Sequence, residues 1–444
     1  MSPIKSMQPK RPLFSALATV FVRFGNAGLQ LLMLALLARL ASPAEFGAFS
    51  AMFAIGALGA FVCLFGQHIL LMRMISSQPE DVHNIPHLGW YMRTGLRVIV
   101  ISAALSSGGL FAIGWILQSS GHAYGRVLIG GAVFLFPMIL AEAVMNLARA
   151  RGSFFMALLP RDIIWRTLVI AIALGLLLAL PTGWSGLQLM LICAGSLMIC
   201  LLVQIRIAWG LYAGHIPPQT APDWPNWRAQ SLWLWISSLA GNISGNLAVL
   251  IISMTLSLEA AGVFFAALRL SMVLALPLNA LNIAVAPRFS HLHARQDYNA
   301  LQTYGLRMTQ VIALPALAAL ALIVAYGDQA LSWFDPEITG GWGALCLLAI
   351  GYTIRTCAGA SGVMMLMTGH ERKAVRIFFQ TEGLSLLVLP LAAHFYGIEG
   401  AAACLALGVA ASSVLSNLHL RRSFRVDPGL HSVFLAPRSD QGIL

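Results

Sequence analysis

The chain has 444 residues, of which 59% are hydrophobic and 10% are charged. Soluble domains carry about 25% charged residues, so this composition, with a mean hydropathy of +0.80, excludes a soluble protein. The net charge of +11 comes from short basic clusters between apolar runs, so it does not indicate a nucleic-acid partner.

Twelve apolar runs follow one another along the chain, and a membrane-spanning helix needs about 20 apolar residues. The first six spans are predicted at 13–38, 44–69, 94–117, 126–148, 160–181 and 187–210. The other six are predicted at 231–256, 261–286, 308–326, 342–367, 377–393 and 400–418. The expected fold is therefore an all-α integral membrane protein with about 12 transmembrane helices.

The distribution of Lys and Arg predicts how these helices are oriented. With the N-terminus inside, 21 of the 27 basic residues face the cytoplasm, whereas only Arg39 and Arg126 face outward. The other four lie within predicted spans. Cytoplasmic loops of membrane proteins are enriched in Lys and Arg, so we expect both termini in the cytoplasm.

The two halves of the chain contain similar landmarks. Gly25-Asn26 and Gly241-Asn242 are 216 residues apart, and two further glycine landmarks, Gly47 with Gly262 and Gly152 with Gly369, are 215 and 217 apart. A constant offset favours internal duplication, although chance similarity between glycine-containing helices remains open. Six spans per copy predict two lobes related by a pseudo-two-fold axis along the membrane normal.

This duplication suggests boundaries for the parts of the chain. We expect an N-terminal lobe over 1–210, a cytoplasmic linker rich in Pro and Trp over 211–230, a C-terminal lobe over 231–420 and a cytoplasmic tail over 421–444.

Three arginines lie well inside predicted spans: Arg23 in span 1, Arg269 in span 8 and Arg355 in span 10. A charge at the bilayer centre costs at least about 2.5–3.5 kcal/mol, so each should face protein or water. One interpretation is a positive central cavity for an anionic substrate, because the guanidinium group fits phosphate oxygens. The alternative is that each arginine pairs with a buried acid, a carbonyl or a lipid headgroup.

Polar side chains extend this predicted substrate site. Asn26 and Gln30 follow Arg23 at helical spacing and share its face, and Asn242 and Asn246 form a similar face on span 7.

Acidic residues in the spans allow different interpretations. Asp162 and Arg166 are four residues apart and can form an ion pair on one helix. Glu142 lacks an obvious partner on its own helix, apart from Asn146, and is the candidate for proton coupling. Glu382, near the cytoplasmic end of span 11, is predicted to be another ion-paired acid.

The chain lacks a G-x-x-x-x-G-K-[ST] motif, which excludes ATP hydrolysis by this chain. It also lacks H-E-x-x-H and G-x-S-x-G. Its six cysteines lie in apolar segments without metal-ligand spacing, so no catalytic residue, metal or cofactor is predicted. The longest outside loop, 327–341, carries Asp328, Asp335 and Glu337 but is short for an enzyme.

Several short motifs resemble one transporter family in their order and spacing. They are Leu37–Gly47 around the first outside turn, Asn146–Gly152 after span 4, Glu259–Gly262 before span 8, Pro287–Ser290 after span 8 and Thr368–Arg372 after span 10. Over about residues 13–425 the chain resembles the polysaccharide-transporter branch of the multidrug/oligosaccharidyl-lipid/polysaccharide (MOP) exporter superfamily, the O-antigen-type flippases.

The resemblance implies a MATE-like fold whose two six-helix lobes form a V around a central cavity. It implies a flippase that moves undecaprenyl-diphosphate-linked oligosaccharide across the bacterial inner membrane for surface polysaccharide biosynthesis. The polyprenyl-diphosphate-linked glycan, membrane lipids and the polysaccharide polymerase and chain-length machinery are then the expected partners. Arg23 and Arg269 match, by helix, the family's diphosphate-binding arginines.

Two other functions remain open at this point. The first is a multidrug or cation antiporter on the same scaffold, although a cationic substrate would favour a cavity acid on span 1. The second is a membrane glycan polymerase or ligase, which would need catalytic groups on the outside loop.

Overall fold

The computed structural model describes residues 12–76, 88–150, 154–179, 183–212, 224–334 and 340–433, and all regular structure within these ranges is helical. The first half contains α1 (Pro12–Leu40), α2 (Pro43–Cys63), α3 (Gln67–Ser76), α4 (Leu88–Ser119), α5 (Tyr124–Ala150), α6 (Phe154–Leu158), a π-helix (Leu159–Ile164), α7 (Trp165–Ala179) and α8 (Gly186–Tyr212).

The second half begins with α9 (Trp224–Asn242), α10 (Ser244–Thr255), α11 (Leu258–Ser271), a 3-10 turn (Met272–Ala275), α12 (Leu276–Ala294) and α13 (Tyr298–Ser332). It continues with α14 (Trp342–Cys357), α15 (Ser361–Met367), α16 (Glu371–Phe378), a π-helix (Phe379–Gly383), α17 (Leu384–Phe424) and a 3-10 turn (Leu430–Val433).

The predicted spans correspond to these helices. Eight helical stretches of the described chain are long and apolar enough to cross a membrane, and two bent pairs, α9–α10 and α14–α15, add two more. The described apolar part of α1 runs from Phe24 to Leu40. The eight stretches, the two bent pairs and α1 make eleven spans, and the reversal inside α17 described next adds one more. The prediction of about twelve helices is therefore confirmed.

The stretch Glu371–Phe424 contains two antiparallel helices. Gly397 has φ 62° and ψ −150°, which is not helical. The Cys404 thiol donates to the carbonyl oxygen of Ser385 at 3.1 Å, although these residues would lie about 28 Å apart along a straight helix. The chain therefore reverses at Gly397, where the sequence predicted the connection between spans 11 and 12.

The second helix of each half begins in the same way. Ser42 caps α2 by accepting a hydrogen bond from the backbone N–H of Glu45, and Ser257 caps α11 by accepting one from Ala260. Glu259, like Glu45, lies in the first turn, where the partial positive charge of a helix N-terminus favours an acid. The two capping serines are 215 residues apart, as are the glycines that follow them.

These two helix starts pack against each other at the end of the bundle near Ser42, termed the Ser42 end. The opposite end, where α5 finishes, is termed the Arg149 end. A Cβ on Gly47 would lie 1.8 Å from the carbonyl oxygen of Leu258, and a Cβ on Gly262 would lie 3.0 Å from the Cα of Gly47. Only glycine allows the backbones of the two halves to approach so closely.

Hydrogen bonds also join the halves at both ends. At the Ser42 end, Arg39 Nε donates to the carbonyl oxygen of Trp333 at 3.0 Å. At the Arg149 end, the Gln67 amide donates to the Ser231 hydroxyl at 2.6 Å. Between these two ends, α2 packs against α9, α10 and α11 of the second half.

Several helices are interrupted within the bundle. α9 and α10 meet at Ile243 with a bend of 64°, and α14 and α15 meet near Gly359, whose φ is +74°, with a bend of 44°. π-helical turns precede α7 and α17, at corresponding places in the two halves. Such turns are rare and are often found at functional sites.

After α17 the chain folds back onto the second half, over a segment that we term the strap (Val426–Val433). Val426 and Asp427 are buried. The Gln302 amide donates to the carbonyl oxygen of Asp427 at 2.8 Å and its oxygen accepts from the Asp427 backbone N–H. Pro428 packs beside Gly305 and Gly359, so the strap supports the bend between α14 and α15.

Candidate functional site

The bend in span 7 places two of the predicted polar residues at one site. Asn242 is the last residue of α9, and its exposed side-chain amide donates to the carbonyl oxygen of Ser238 at 3.0 Å. Asn246 lies in the first turn of α10. Because the helix breaks between them, the side chain of Asn246 is directed toward α11.

Arg269 meets Asn246 from the end of α11. Its Nη2 donates to Asn246 Oδ1 at 2.9 Å. The guanidinium carbon lies 4.6 Å from the ring centre of Phe265 and 5.4 Å from that of Phe53. Since Phe53 belongs to α2, Arg269 lies where the two halves of the protein meet, held by one hydrogen bond and two cation–π contacts.

Arg166 approaches the same region from the first half. It follows the π-helix at the start of α7, and its Nη2 donates to Gln30 Oε1 of α1 at 3.5 Å. Its Nη1 donates to the carbonyl oxygen of Asp162 at 3.1 Å and lies 4.0 Å from the Asp162 carboxylate. The charge of Arg269 also acts on Arg166, more weakly than the charges of Asp162 and Arg161 do. We term these two arginines with Gln30 and Asn246 the arginine site.

The other predicted site residues fall into three places. Asn26, on α1, is half-buried, and its Oδ1 has no hydrogen-bond partner among the described residues. Arg23 lies in α1, but its side chain is outside the described part of the structure. Arg355 does not join the arginine site and instead lines a separate cavity in the second half.

Glu142 is paired. Its buried carboxylate forms an ion pair with Arg161 of the π-helix and accepts a hydrogen bond from Asn146 at 3.2 Å. The sequence predicted no partner on the same helix, and the structure supplies one from the following element.

Glu382 is a second buried acid at an irregular helix. It lies in the π-helix between α16 and α17 and accepts a hydrogen bond from Ser244, the first residue after the bend in span 7. Arg355 is the positive charge that acts on it most strongly, without a direct ion pair between them among the described contacts. Glu382 therefore links two irregular helices of the second half.

The sequence did not identify Arg166 or the two phenylalanines as site residues. Arg166 was assigned to a pair with Asp162, which the structure contains, but its other amino group points to Gln30. The signal available in the sequence was position: Arg166 lies in a predicted span, four residues after the acid. Phe53 and Phe265 belong to apolar runs in which nothing in the sequence sets them apart.

Comparison with known proteins agrees with this fold. The structure is similar to an inward-facing multidrug resistance MATE family transporter of the MOP superfamily, with a TM-score of 0.70 and 15% identity over 91% of this chain and 98% of that chain. For the outward-facing conformation of a multidrug resistance MATE family transporter the TM-score is 0.59, with 14% identity over 93% and 95% of the two chains. At these identities the likeness shows the fold.

A MOP superfamily transporter from Pyrococcus furiosus, described by a reversed polarity of its binding pocket that suggests a different function, is also similar. Its TM-score is 0.60, with 14% identity over 92% of this chain and 95% of that chain. No curated protein matches the chain in a sequence search.

A family model described as "Polysaccharide biosynthesis protein" matches residues 14–293, which is more than half of the chain. This match covers all of the first half and extends through α11 and α12 of the second, so it includes every residue of the arginine site. The chain is a multi-pass membrane protein with a MOP-type transporter fold, and it belongs to the polysaccharide biosynthesis protein family.

Proposed function

We propose that this protein is a flippase that moves undecaprenyl-diphosphate-linked oligosaccharide across the bacterial inner membrane for surface polysaccharide biosynthesis. The observation that carries the proposal is the pair Arg166 and Arg269, one from each half, on a transporter scaffold of a polysaccharide biosynthesis family. A positive charge inside a membrane protein is costly unless a negative group lies near it. Asp162 supplies one for Arg166, whereas Arg269 has only the neutral Asn246 and two aromatic rings. A diphosphate supplies the missing anion.

In this proposal each arginine keeps donors for the substrate. Arg269 uses Nη2 for Asn246, and its Nη1 makes only a weak 3.9 Å contact with the Met272 sulfur. Planar guanidinium groups bind phosphate oxygens in pairs. Arg23, with Asn26 and Gln30 on the same helix, would extend the site along α1, and Asn242 would contact the sugar. Arg355 lines a separate cavity and would act on the diphosphate only through its long-range charge.

The proposed orientation follows the basic residues, so the Arg149 end and both termini face the cytoplasm. The halves already touch at the Ser42 end through Gly47 and Gly262. The headgroup would enter from the Arg149 end while the polyprenyl tail stays in lipid. Separation of the halves at the Ser42 end would then release it outward. Glu142 is the proposed proton carrier, because proton uptake would break its ion pair with Arg161.

The first test is a deletion strain in which surface polysaccharide and lipid-linked precursors are both measured. Loss of surface glycan with complete repeat units held on the cytoplasmic leaflet supports the proposal. Complementation with Arg269→Ala and Arg166→Ala should fail at normal protein levels, whereas Arg288→Ala, an exposed arginine of α12, should restore export. Normal export by both site variants would refute the assignment of the diphosphate site.

The multidrug alternative is supported by the fold of the MATE transporters. A cationic drug would favour a free acid in the cavity. Among the described residues, however, Glu142, Asp162 and Glu382 each have a basic or hydroxyl partner. Increased drug sensitivity of the deletion strain, with normal surface glycan, would favour this alternative.

A glycan polymerase or ligase would need groups on the outside loop. Asp328 is exposed near the end of α13, whereas Asp335 and Glu337 lie outside the described residues. Replacing all three by Ala should leave the glycan unchanged if the protein is a flippase. A precursor that already faces outward but is not polymerised would point to the enzyme.

A further inference from the structure

A second polar site lies inside the C-terminal half, and its lining includes no residue of the arginine site. It is a cavity of about 90 Å³ between α12, the bend that joins α14 to α15, and the latter part of α17. Arg355, Asn282, Ser361 and Ser412 line it. We term it the Arg355 cavity.

Arg355 differs from the other membrane arginines in having no direct partner. Among the described residues its guanidinium group makes no hydrogen bond and no ion pair, whereas Arg166 has Asp162 and Arg269 has Asn246. It is half-buried in the last turn of α14. A charge in such a place costs free energy unless it is compensated. Glu382 acts on Arg355 without an ion pair and does not line the cavity.

The other polar groups of the lining are neutral, and the rest of the lining is glycine or apolar. The Oδ1 of Asn282 is buried without a hydrogen-bond partner, and an amide can turn so that its NH₂ faces the cavity instead. The hydroxyl groups of Ser361 and Ser412 can also donate. No carboxylate lines the cavity. One cation surrounded by neutral donors selects an anion.

The size of the cavity limits what the anion can be. A water molecule needs about 10–15 Å³ of space measured in this way, so the cavity of about 90 Å³ has room for several water molecules or for one phosphate-type group.

We propose that the Arg355 cavity binds a single phosphate-type oxyanion, independently of the arginine site. Arg355 supplies the charge, and Asn282, Ser361 and Ser412 supply neutral hydrogen bonds. The anion is either inorganic phosphate from the cytoplasm or the phosphate of a lipid headgroup. This site goes beyond the proposed function, because it needs only the cavity and would exist in any transporter with this second half.

The test uses the purified full-length protein in phosphatidylcholine nanodiscs, titrated with inorganic phosphate at constant ionic strength and followed by calorimetry. We expect saturable binding that persists when Arg269→Gln disables the arginine site, and that is unchanged in the exposed control Arg288→Gln. In Arg355→Gln, binding should weaken at least about tenfold, as expected for loss of a charged hydrogen-bond donor. Phosphate binding that survives Arg355→Gln, or that is lost only in Arg269→Gln, would overturn the proposal.

A second variant separates loss of the site from loss of folding. Ser412→Asp keeps Arg355 and places a carboxylate in the cavity, so the protein should remain folded and stop binding phosphate. Phosphate binding by Ser412→Asp with wild-type affinity would contradict the proposal.

Nanodiscs that contain phosphatidic acid distinguish the two sources. If a lipid headgroup is the natural occupant, added phosphate should bind poorly to the wild type in those nanodiscs and normally in phosphatidylcholine. Equal binding in both would identify inorganic phosphate as the ligand. Absence of phosphate binding in phosphatidylcholine nanodiscs would refute the site.

Discussion

Gly47 and Gly262 occupy equivalent positions in the two halves and pack against each other at the Ser42 end. A Cβ on Gly262 would lie 3.0 Å from the Cα of Gly47. In a structure with two-fold pseudo-symmetry, residues that meet their own equivalents lie at the axis. The glycines therefore mark where the proposed pseudo-two-fold axis passes through the contact between the halves.

Replacing Gly47 by Ala should destabilise the protein strongly. The added methyl group would overlap the Leu258 carbonyl oxygen, a backbone atom that cannot rotate away. Overpacking typically costs about 1–3 kcal/mol, and here it also forces the halves apart. Thermal unfolding in detergent should show a lower midpoint. The matched control is Gly108→Ala, because a Cβ at Gly108 of α4 meets nothing within 4 Å. Equal unfolding midpoints for Gly47→Ala and Gly108→Ala would rule out a tight contact between the halves at Gly47.

Changing Arg269 to Lys should reduce export even though the positive charge remains. The ammonium group cannot reproduce the planar contacts with Phe265 and Phe53, which are worth about 0.5–2 kcal/mol, or the paired phosphate hydrogen bonds. We expect the rate of surface-glycan recovery, measured after induction in the deletion strain, to fall about tenfold. Arg288→Lys serves as the control. Full activity of Arg269→Lys would mean that charge alone suffices.

The ion pair between Glu142 and Arg161 predicts that two changes compensate each other. Arg161→Gln alone leaves a buried carboxylate without a counter-charge, which costs about 3–5 kcal/mol. Adding Glu142→Gln removes that charge and should restore much of the lost thermal stability. A double variant no more stable than Arg161→Gln would show that the pairing does not matter.

The same double variant tests proton coupling. If Glu142 carries the coupled proton, substrate movement in vesicles should no longer respond to an imposed pH gradient once residue 142 is Gln. A response that persists in the folded double variant would remove Glu142 from this role and direct attention to Glu382.

Gln302→Ala should loosen the strap. It removes two hydrogen bonds to the backbone of Asp427, and a lost buried partner costs about 1–3 kcal/mol. Removing residues 426–444 should lower the unfolding midpoint further, whereas removing only 434–444 should leave it unchanged. If Gln302→Ala and the protein lacking residues 426–444 unfold at the same midpoint as the wild type, the strap does not support the bend near Gly359.

The sequence predicted the helices well because long apolar runs admit few alternatives in a membrane. Even the fifth span, with Arg161, Asp162 and Arg166 near its start, forms as a helix over Met156–Ala179. Arg166 pairs with Asp162 of the same span, and Arg161 pairs with Glu142 of α5.

The interruptions in the helices were not predictable. No proline marks the 64° bend at Ile243, and the π-helix at Phe379–Gly383 has no recognisable sequence signal. Both depend on tertiary contacts, such as the hydrogen bond from Ser244 to Glu382. For the same reason, spacing along one helix could suggest that Gln30 faces a cavity but could not reveal that Arg166 meets it.

Because the halves meet through Gly47, Gly262 and hydrogen bonds from Arg39 and Gln67, their recognition does not depend on the peptide that connects them. In physical terms the molecule resembles a dimer whose subunits are encoded as one polypeptide. Fragments 1–216 and 217–444, expressed together from separate reading frames, should associate in the membrane and copurify. The joining peptide would then serve mainly to keep equal numbers of the two halves and to raise their effective concentration.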